Sequence, residues 1–381
     1  MDRLGPIRGK LKSRNSPCKR KYQPYTRALR KEVNRVYDQI YAIVYGHCIG
    51  DAIGLLTENL TREEAKKKYK EVHNKLEYVH KKILPDVHRR KWVIGDWTEE
   101  SDHMLLILQS ILSQNGEVDP LDFSRKLMEW NEKGFPELND VCGLGTCPQV
   151  KSVISHPQFS EEPKKAAEIV WRDSRNMYAT NAAVARTSVI GFHHYNNFGQ
   201  VIKHTLDICN TTHSDPRCHA SCVAVTTVMS LLLQRNERHI KKDGSYNLTG
   251  VTEEAFRYAS RLLPSYDQVK ELKKYMFCET LKALELDEQC KSNYTYKTLG
   301  AAMWGLRQKD FRQAIQDIVM EGGDADANAA VAGALLGCKL GIQAIPRTWI
   351  DQLGNRLWLD NLLDRYFDIL EGRRTTKETT L

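Results

Sequence analysis

Between positions 329 and 342 the chain offers almost no polar side to water. A helix built from this stretch is apolar nearly all the way round, and such a helix belongs in an interior. Gly333, Gly337, Lys339 and Gly341 break the run, and it falls short of the ~18 apolar residues of a membrane span. It is the longest such stretch, so it reads as the buried helix of a soluble globule, and no membrane partner is expected. What precedes it constrains the chain further. Gly322-Gly323-Asp324-Ala325-Asp326-Ala327-Asn328 delivers two carboxylates to the start of this helix. One Asp would serve as an N-cap. Two buried carboxylates repel each other and lose hydration unless a cation neutralises them. A hard cation such as magnesium takes carboxylate, hydroxyl and water oxygens as ligands.

Helical periodicity dominates the rest. Val33, Val36, Tyr37, Ile40 and Tyr41 recur at three- and four-residue steps, and residues 107–112, 222–233 and 256–263 behave alike. Period-two alternation is scarce, so the expected fold class is all-α. The 381 residues would allow two or three domains. The continuous pattern suggests one large domain over 26–371. Residues 1–25 read as a basic, disordered tail and 372–381 as a flexible one. The last four residues, Glu378-Thr379-Thr380-Leu381, resemble a PDZ-type C-terminal ligand.

Charge narrows the partners. Residues 1–35 hold twelve Lys or Arg against Asp2 and Glu32, which exceeds the net +8 of the whole chain. The body is near neutral, so no specific nucleic-acid face is expected. The ten cysteines lack a Cys-x-x-Cys pair and a His partner at finger spacing, which leaves free thiols in a reducing compartment. The expected address is therefore intracellular, in cytoplasm or nucleus. The cluster Lys19-Arg20-Lys21 suits a nuclear signal, an acid-poor mitochondrial presequence or a plain solvated tail.

Two further stretches interrupt the helical pattern. Gly50-Asp51-Ala52-Ile53-Gly54 runs on to Glu58, and its small residues let backbone approach Asp51 closely. Gly95-Asp96-Trp97-Thr98-Glu99-Glu100-Ser101-Asp102 opens an apolar helix. Taken alone, Asp51 reads equally as a helix cap, and the second stretch as a cap with dipole compensation. Taken with Asp324 and Asp326, the stretches offer enough oxygen for two divalent ions, and a metal pair can position an oxygen-rich substrate.

These stretches resemble, in order, the motifs of the ADP-ribosylglycohydrolase family. Gly50-Asp51-Ala52-Ile53-Gly54 with Glu58 is similar to its N-terminal motif. Trp97-Thr98-Glu99-Glu100-Ser101 is similar to its Trp-Thr-Asp-Asp-Thr, and 323–329 to its Gly-Asp-Ala-Asp-Thr-Asn-Ala. Gly143-Leu144-Gly145-Thr146 matches a Gly-rich loop near the substrate phosphates, and 181–187 an Asn-Gly-Ala-x-Met-Arg segment. The resemblance spans roughly residues 36–350. It implies an all-α fold with a metal cleft holding two magnesium ions, and release of ADP-ribose from modified proteins or related ADP-ribose glycosides. Thr98, Glu99, Glu100, Asp324 and Asp326 would then be metal ligands, and Glu58 the catalytic carboxylate. Asp51, Gly143, Gly145, Thr146, Asn181 and His213 would bind substrate. A monomer is favoured.

Three departures from the family pattern stand out. Glu99-Glu100 replaces an Asp pair, so each carboxylate reaches one methylene farther. Ala327 replaces a Thr and removes a hydroxyl, which weakens the expectation of a second ion. Ala182 replaces a Gly beside the substrate. Two outcomes therefore stay open: a magnesium-dependent ADP-ribosyl hydrolase, or a weakened or inactive relative that binds ADP-ribose or protein partners.

Overall fold

The computed structural model describes residues 31–72, 75–78 and 86–372, with backbone only for 31–34. The two tails, the Lys19-Arg20-Lys21 cluster and the C-terminal four residues lie outside the described residues, apart from Gly372. Every regular element among the described residues is helical, with two isolated bridges, Thr180–Tyr294 and Ile240–Tyr246. The fold is all-α.

Six helices build the site. They are α1 (Lys31–Gly54), α2 (Glu99–Ser113), α3 (Ala182–Arg186), α4 (Pro216–Gln234), α5 (Thr295–Arg307) and α6 (Ala325–Leu340). α6 is the apolar helix expected from the sequence, and every residue from Ala325 to Cys338 is buried. It ends at Gly341, whose φ of +80° turns the chain into a short 3₁₀ turn. α1, α5 and α4 pack around it, with α3 at its N-terminal end. The buried apolar side chains of all these helices join in one continuous core.

The α1–α6 pair is the closest contact in the fold. Gly46, Gly50 and Gly54 of α1 run antiparallel to Gly333, Ala329 and Asp326 of α6. A Cβ on Gly46 would stand 2.3 Å from the Gly333 carbonyl oxygen, and one on Gly50 2.1 Å from that of Ala329. On Gly54 it would stand 2.3 Å from the Asp326 Cα. The two backbones touch, and only the missing side chains permit it. This is the close approach foreseen around Asp51.

One expectation is corrected. α4, not the 329–342 stretch, is long and apolar enough by length and composition to cross a membrane. Its Thr and Ser residues hid it from a search for uninterrupted apolar runs. It is 83% buried inside the protein, walled by the helix Leu248–Ser260 and by Phe198–Cys209. The nine described cysteines are free thiols, five of them buried.

The packing yields a stability prediction. Gly50→Ala or Gly333→Ala forces backbone apart in a filled core and should cost about 1–3 kcal/mol or more in urea unfolding. Gly199→Ala, whose Cβ would meet only Asn197 Oδ1 at 3.7 Å, should change stability by less than about 1 kcal/mol. Equal effects at the three sites would refute the contact.

Candidate active site

The acidic centre forms where α6 begins. Gly322 and Gly323 have φ of +73° and +68°, a left-handed turn open to glycine. The Asn59 N–H donates to the Gly323 carbonyl and the Gly323 N–H to that of Leu60, both at 2.8 Å. This pairing holds the loop carrying Glu58 beside Asp324. Asp324 occupies the N-cap position of α6, yet its side chain makes no capping bond. Its Oδ2 instead accepts from Asn181 Nδ2 at 2.7 Å. Asp326, in the first turn, accepts from the Ala327 N–H at 2.9 Å. Carboxylate oxygens of Glu58, Asp324 and Asp326 all lie within 4.8 Å of one another.

The N-terminus of α2 meets this cluster from the side. Asp51 of α1 accepts from the Thr98 hydroxyl at 2.8 Å and N–H at 3.1 Å, and from the Ser101 hydroxyl at 2.6 Å and N–H at 2.9 Å. Asp51 is therefore a cap, but of another helix. It stands fully buried behind the cleft, with its oxygens committed to α2. Thr98 Oγ1 also lies 3.5 Å from Asp326 Oδ2, which links α2 to α6. Glu100 is buried, and its Oε2 has no hydrogen-bond partner among the described residues. Glu99 is half-buried against Gly145, where a Cβ would fall 1.7 Å from Glu99 Oε2. Gly143 packs on the Trp130 ring, and the buried Thr146 hydroxyl has no partner among the described residues.

Burial and crowding act together on these acids. Burial pushes Glu99, Glu100 and Asp326 well above the usual carboxylate range. Neighbours add to it: Glu100 on Glu99, Asp324 on Glu100, and Glu58 then Asp324 on Asp326. Asp324 is raised by burial and by Glu58, against the Asn181 hydrogen bond. Burial raises Asp51 to about 6 despite its four donors. Anions held this closely call for a cation, and the unpartnered Glu100 oxygen adds a donor aimed at nothing else. The residues present fit a divalent metal.

Asn181 and His213 sit differently. Asn181 bridges Asp324 to the Thr298 hydroxyl of α5, and that hydroxyl donates to Asn328 of α6 at 2.6 Å. His213 is fully buried and hydrogen-bonds Thr180 through Nε2 and Thr212 through Nδ1. Burial, then Arg186, pushes its pKa well below the usual range, so the ring is neutral. It holds Thr180, the residue before Asn181, from behind the cleft wall.

Two contacts escaped the sequence reading. Arg186 of α3 is fully buried, bonded to the Ile208 carbonyl and the Thr211 and Thr212 hydroxyls, and its charge offsets Glu100. Arg186 falls in the 181–187 segment already noted for its resemblance, and a lone charge after Ala182-Ala183-Val184-Ala185 was a usable signal of its burial. His88 Nε2 meets Glu58 Oε2 at 2.5 Å. Nothing marked it, because it opens a run of basic residues that reads as a solvated stretch.

A sequence profile of the ADP-ribosylglycohydrolase family matches residues 32–378. The chain belongs to that family. It is 25% identical over 337 residues to the ADP-ribosylarginine hydrolase Tri1 of Serratia proteamaculans, covering 87% of this chain and 79% of that one. It is 22% identical to the ADP-ribosyl-[dinitrogen reductase] glycohydrolase of Rhodospirillum rubrum, covering 84% and 91%. A solved ADP-ribosylglycohydrolase-related protein complex superposes with a TM-score of 0.63 at 20% identity, covering 88% of this chain and 99% of that one. In this ADP-ribosylglycohydrolase chain, the stretches carrying Glu58, Thr98 and Asp324–Asp326 meet at the acidic centre.

The raised carboxyls give a pH prediction. A folded-state pKa above the unfolded one means stability is lost as pH rises, for Asp324 from 3.8 through about 6. A divalent cation on the ionised oxygens offsets that loss. Magnesium should therefore raise Tm over an EDTA control more at about pH 7.5 than at about pH 5. An equal increment at both would contradict the acidic centre as a cation site.

Proposed function

We propose that this chain is a magnesium-dependent hydrolase that frees ADP-ribose from modified protein side chains or related ADP-ribose glycosides. The observation that carries the reading is the convergence of Glu58, Asp324 and Asp326 to within 4.8 Å in a chain of this family. The relatives' names support an ADP-ribosylated protein as the partner.

Asp324 and Asp326, with Thr98, Glu99, Glu100 and Glu58 around them, would hold one or two magnesium ions. Such ions, when bound, supply positive charge to the acids and a Lewis-acid grip on ribose hydroxyls. The chain's own groups do the rest. Departure of the group at the ribose C1 builds oxocarbenium-like charge, which the surrounding carboxylates stabilise. As the bond from C1 to the side-chain nitrogen or oxygen breaks, Glu58 takes a proton from the attacking water as general base, and that proton passes on to the leaving group. Asn181 keeps Asp324 turned to the cleft, and Asp51 fixes Thr98 at the α2 terminus. The 143–146 loop would offer backbone N–H groups to the substrate diphosphate.

A second reading, binding of ADP-ribose without turnover, is favoured by one observation. Ala327 is fully buried beside Asp326 and brings no hydroxyl to a second ion.

Release of ADP-ribose from arginine- and serine-modified peptides, with and without magnesium, separates the two. The double substitution Asp324→Asn with Asp326→Asn should abolish magnesium binding by calorimetry and lower hydrolysis at least about 100-fold. Undiminished hydrolysis in that variant would sink the proposal. Calorimetric ADP-ribose binding by the unaltered protein with no product released would favour the second reading.

A further inference from the structure

The loop carrying Glu58 is gripped from a segment that belongs to none of the family motifs. Arg89, 2% exposed, donates through Nε to the Leu56 carbonyl at 3.0 Å and through Nη2 to the Glu58 carbonyl at 2.5 Å. Its Nη1 is paired with Asp86 at 2.5 Å. The Tyr69 hydroxyl bonds the same Leu56 carbonyl at 2.8 Å from the other side. With the backbone fixed, the side chain is held at both oxygens. Glu58 Oε1 accepts from Asn59 Nδ2 at 3.0 Å, and Oε2 from His88 Nε2 at 2.5 Å. The His88 ring leans edge-on against Trp92, with centroids 5.1 Å apart.

This grip opposes a definite force. Glu58 shares a small space with Asp324 and Asp326, and like charges there push its carboxylate toward solvent. The Asn59 amide is exposed and lies next in sequence, so it follows Glu58 wherever the loop goes. His88 reaches it from a separate segment. The His88 and Glu58 side chains are 28% and 14% exposed, which places the pair at the rim between solvent and the acidic centre.

The geometry points to His88 as the positioning residue that holds the Glu58 carboxylate at the acidic centre, so that it serves both cation binding and the hydrolytic step. This rests on the reading of Glu58 as a working carboxylate of the hydrolase. His88 itself touches neither Asp324 nor Asp326 by any hydrogen bond, and it acts through Glu58.

The test compares His88→Ala, His88→Asn and His88→Gln in the full chain. The Gln amide nitrogen can stand where Nε2 stands, and the shorter Asn amide cannot. Two readouts are taken: manganese binding to the protein alone by calorimetry, and kcat and KM for an ADP-ribosylarginine or ADP-ribosylserine peptide. Loss of a partner one step behind a metal ligand should weaken manganese binding and kcat about 10-fold or more in the Ala and Asn variants. His88→Gln should stay within about 3-fold of the parent, KM should move little, and Tm should shift by no more than about 2 °C. Unchanged manganese affinity in His88→Ala overturns the assignment. So does an equal loss in all three variants, or a loss that tracks Tm, since either marks a merely structural contact. If the parent releases no ADP-ribose from either peptide, the hydrolase reading fails, and the manganese titration still decides what His88 does.

Discussion

The backbone contact between α1 and α6 sets the position of the acidic centre. A helix pair spaced by ordinary side chains stands 8–10 Å apart, and the glycines bring this pair closer. The stripe from Gly46 to Gly54 ends against the Cα of Asp326 itself. Asp51 lies on the same helix, three residues before Gly54, and reaches sideways into the start of α2. One interhelical contact thus fixes the distance between the elements that carry Thr98, Glu100 and Asp326. The loop after Gly54 inherits the same constraint. It has only a few residues in which to turn, and its pairing with Gly323 leaves Glu58 facing Asp324.

Holding this many acids in a buried place costs stability, and the fold distributes the offset. Asp51 is met by four donors from α2, and Asp324 by one amide anchored to α5 and α6 through Thr298 and Asn328. Asp102 accepts the indole N–H groups of Trp97 and Trp130, which keeps a further carboxylate of α2 out of the cleft. Arg186 brings a full positive charge, buried over the Phe123 ring and closest in effect to Glu100. Glu99 and the Glu100 Oε2 receive least, and Asp326 only the Ala327 N–H and a long contact from Thr98. On the proposed reading these are the oxygens left for a ligand from outside the chain, which is how a binding site differs from a structural ion-pair network.

How much of this was legible in the sequence depends on the range of each signal. α6 was legible because an all-apolar helix has only one place to go. The start of α2 was legible because a hydroxyl followed by acids marks a helix N-terminus whatever its role. Asp51 was half legible: its glycine neighbours announced a close approach, but the helix it caps begins 48 residues later, and no local period encodes that. α4 was misjudged as a run because polar residues interrupt it, yet Ser221 and Thr226 bond the Arg217 and Cys222 carbonyls of their own helix and so cost little in the core. His88 and Arg89 were invisible, since a basic run looks the same in solvent as it does when one of its members is buried.

The departures from the family pattern look different once their surroundings are known. The extra methylene of Glu99 carries its carboxylate to the place where Gly145 lacks a Cβ, so the longer acid and the glycine are fitted to each other. Glu100 has no such accommodation, and its free oxygen remains inside the cleft. Ala327 forfeits a hydroxyl, but its N–H still orients Asp326, so what is lost is a ligand and not the geometry of the ligand beside it. The three changes therefore bear unequally on the centre. On the proposed reading, Asp324 and Asp326 keep the supports they would need for one cation, and the oxygen supply for a second would rest on Glu99, Glu100 and Thr98, the last already bound to Asp51.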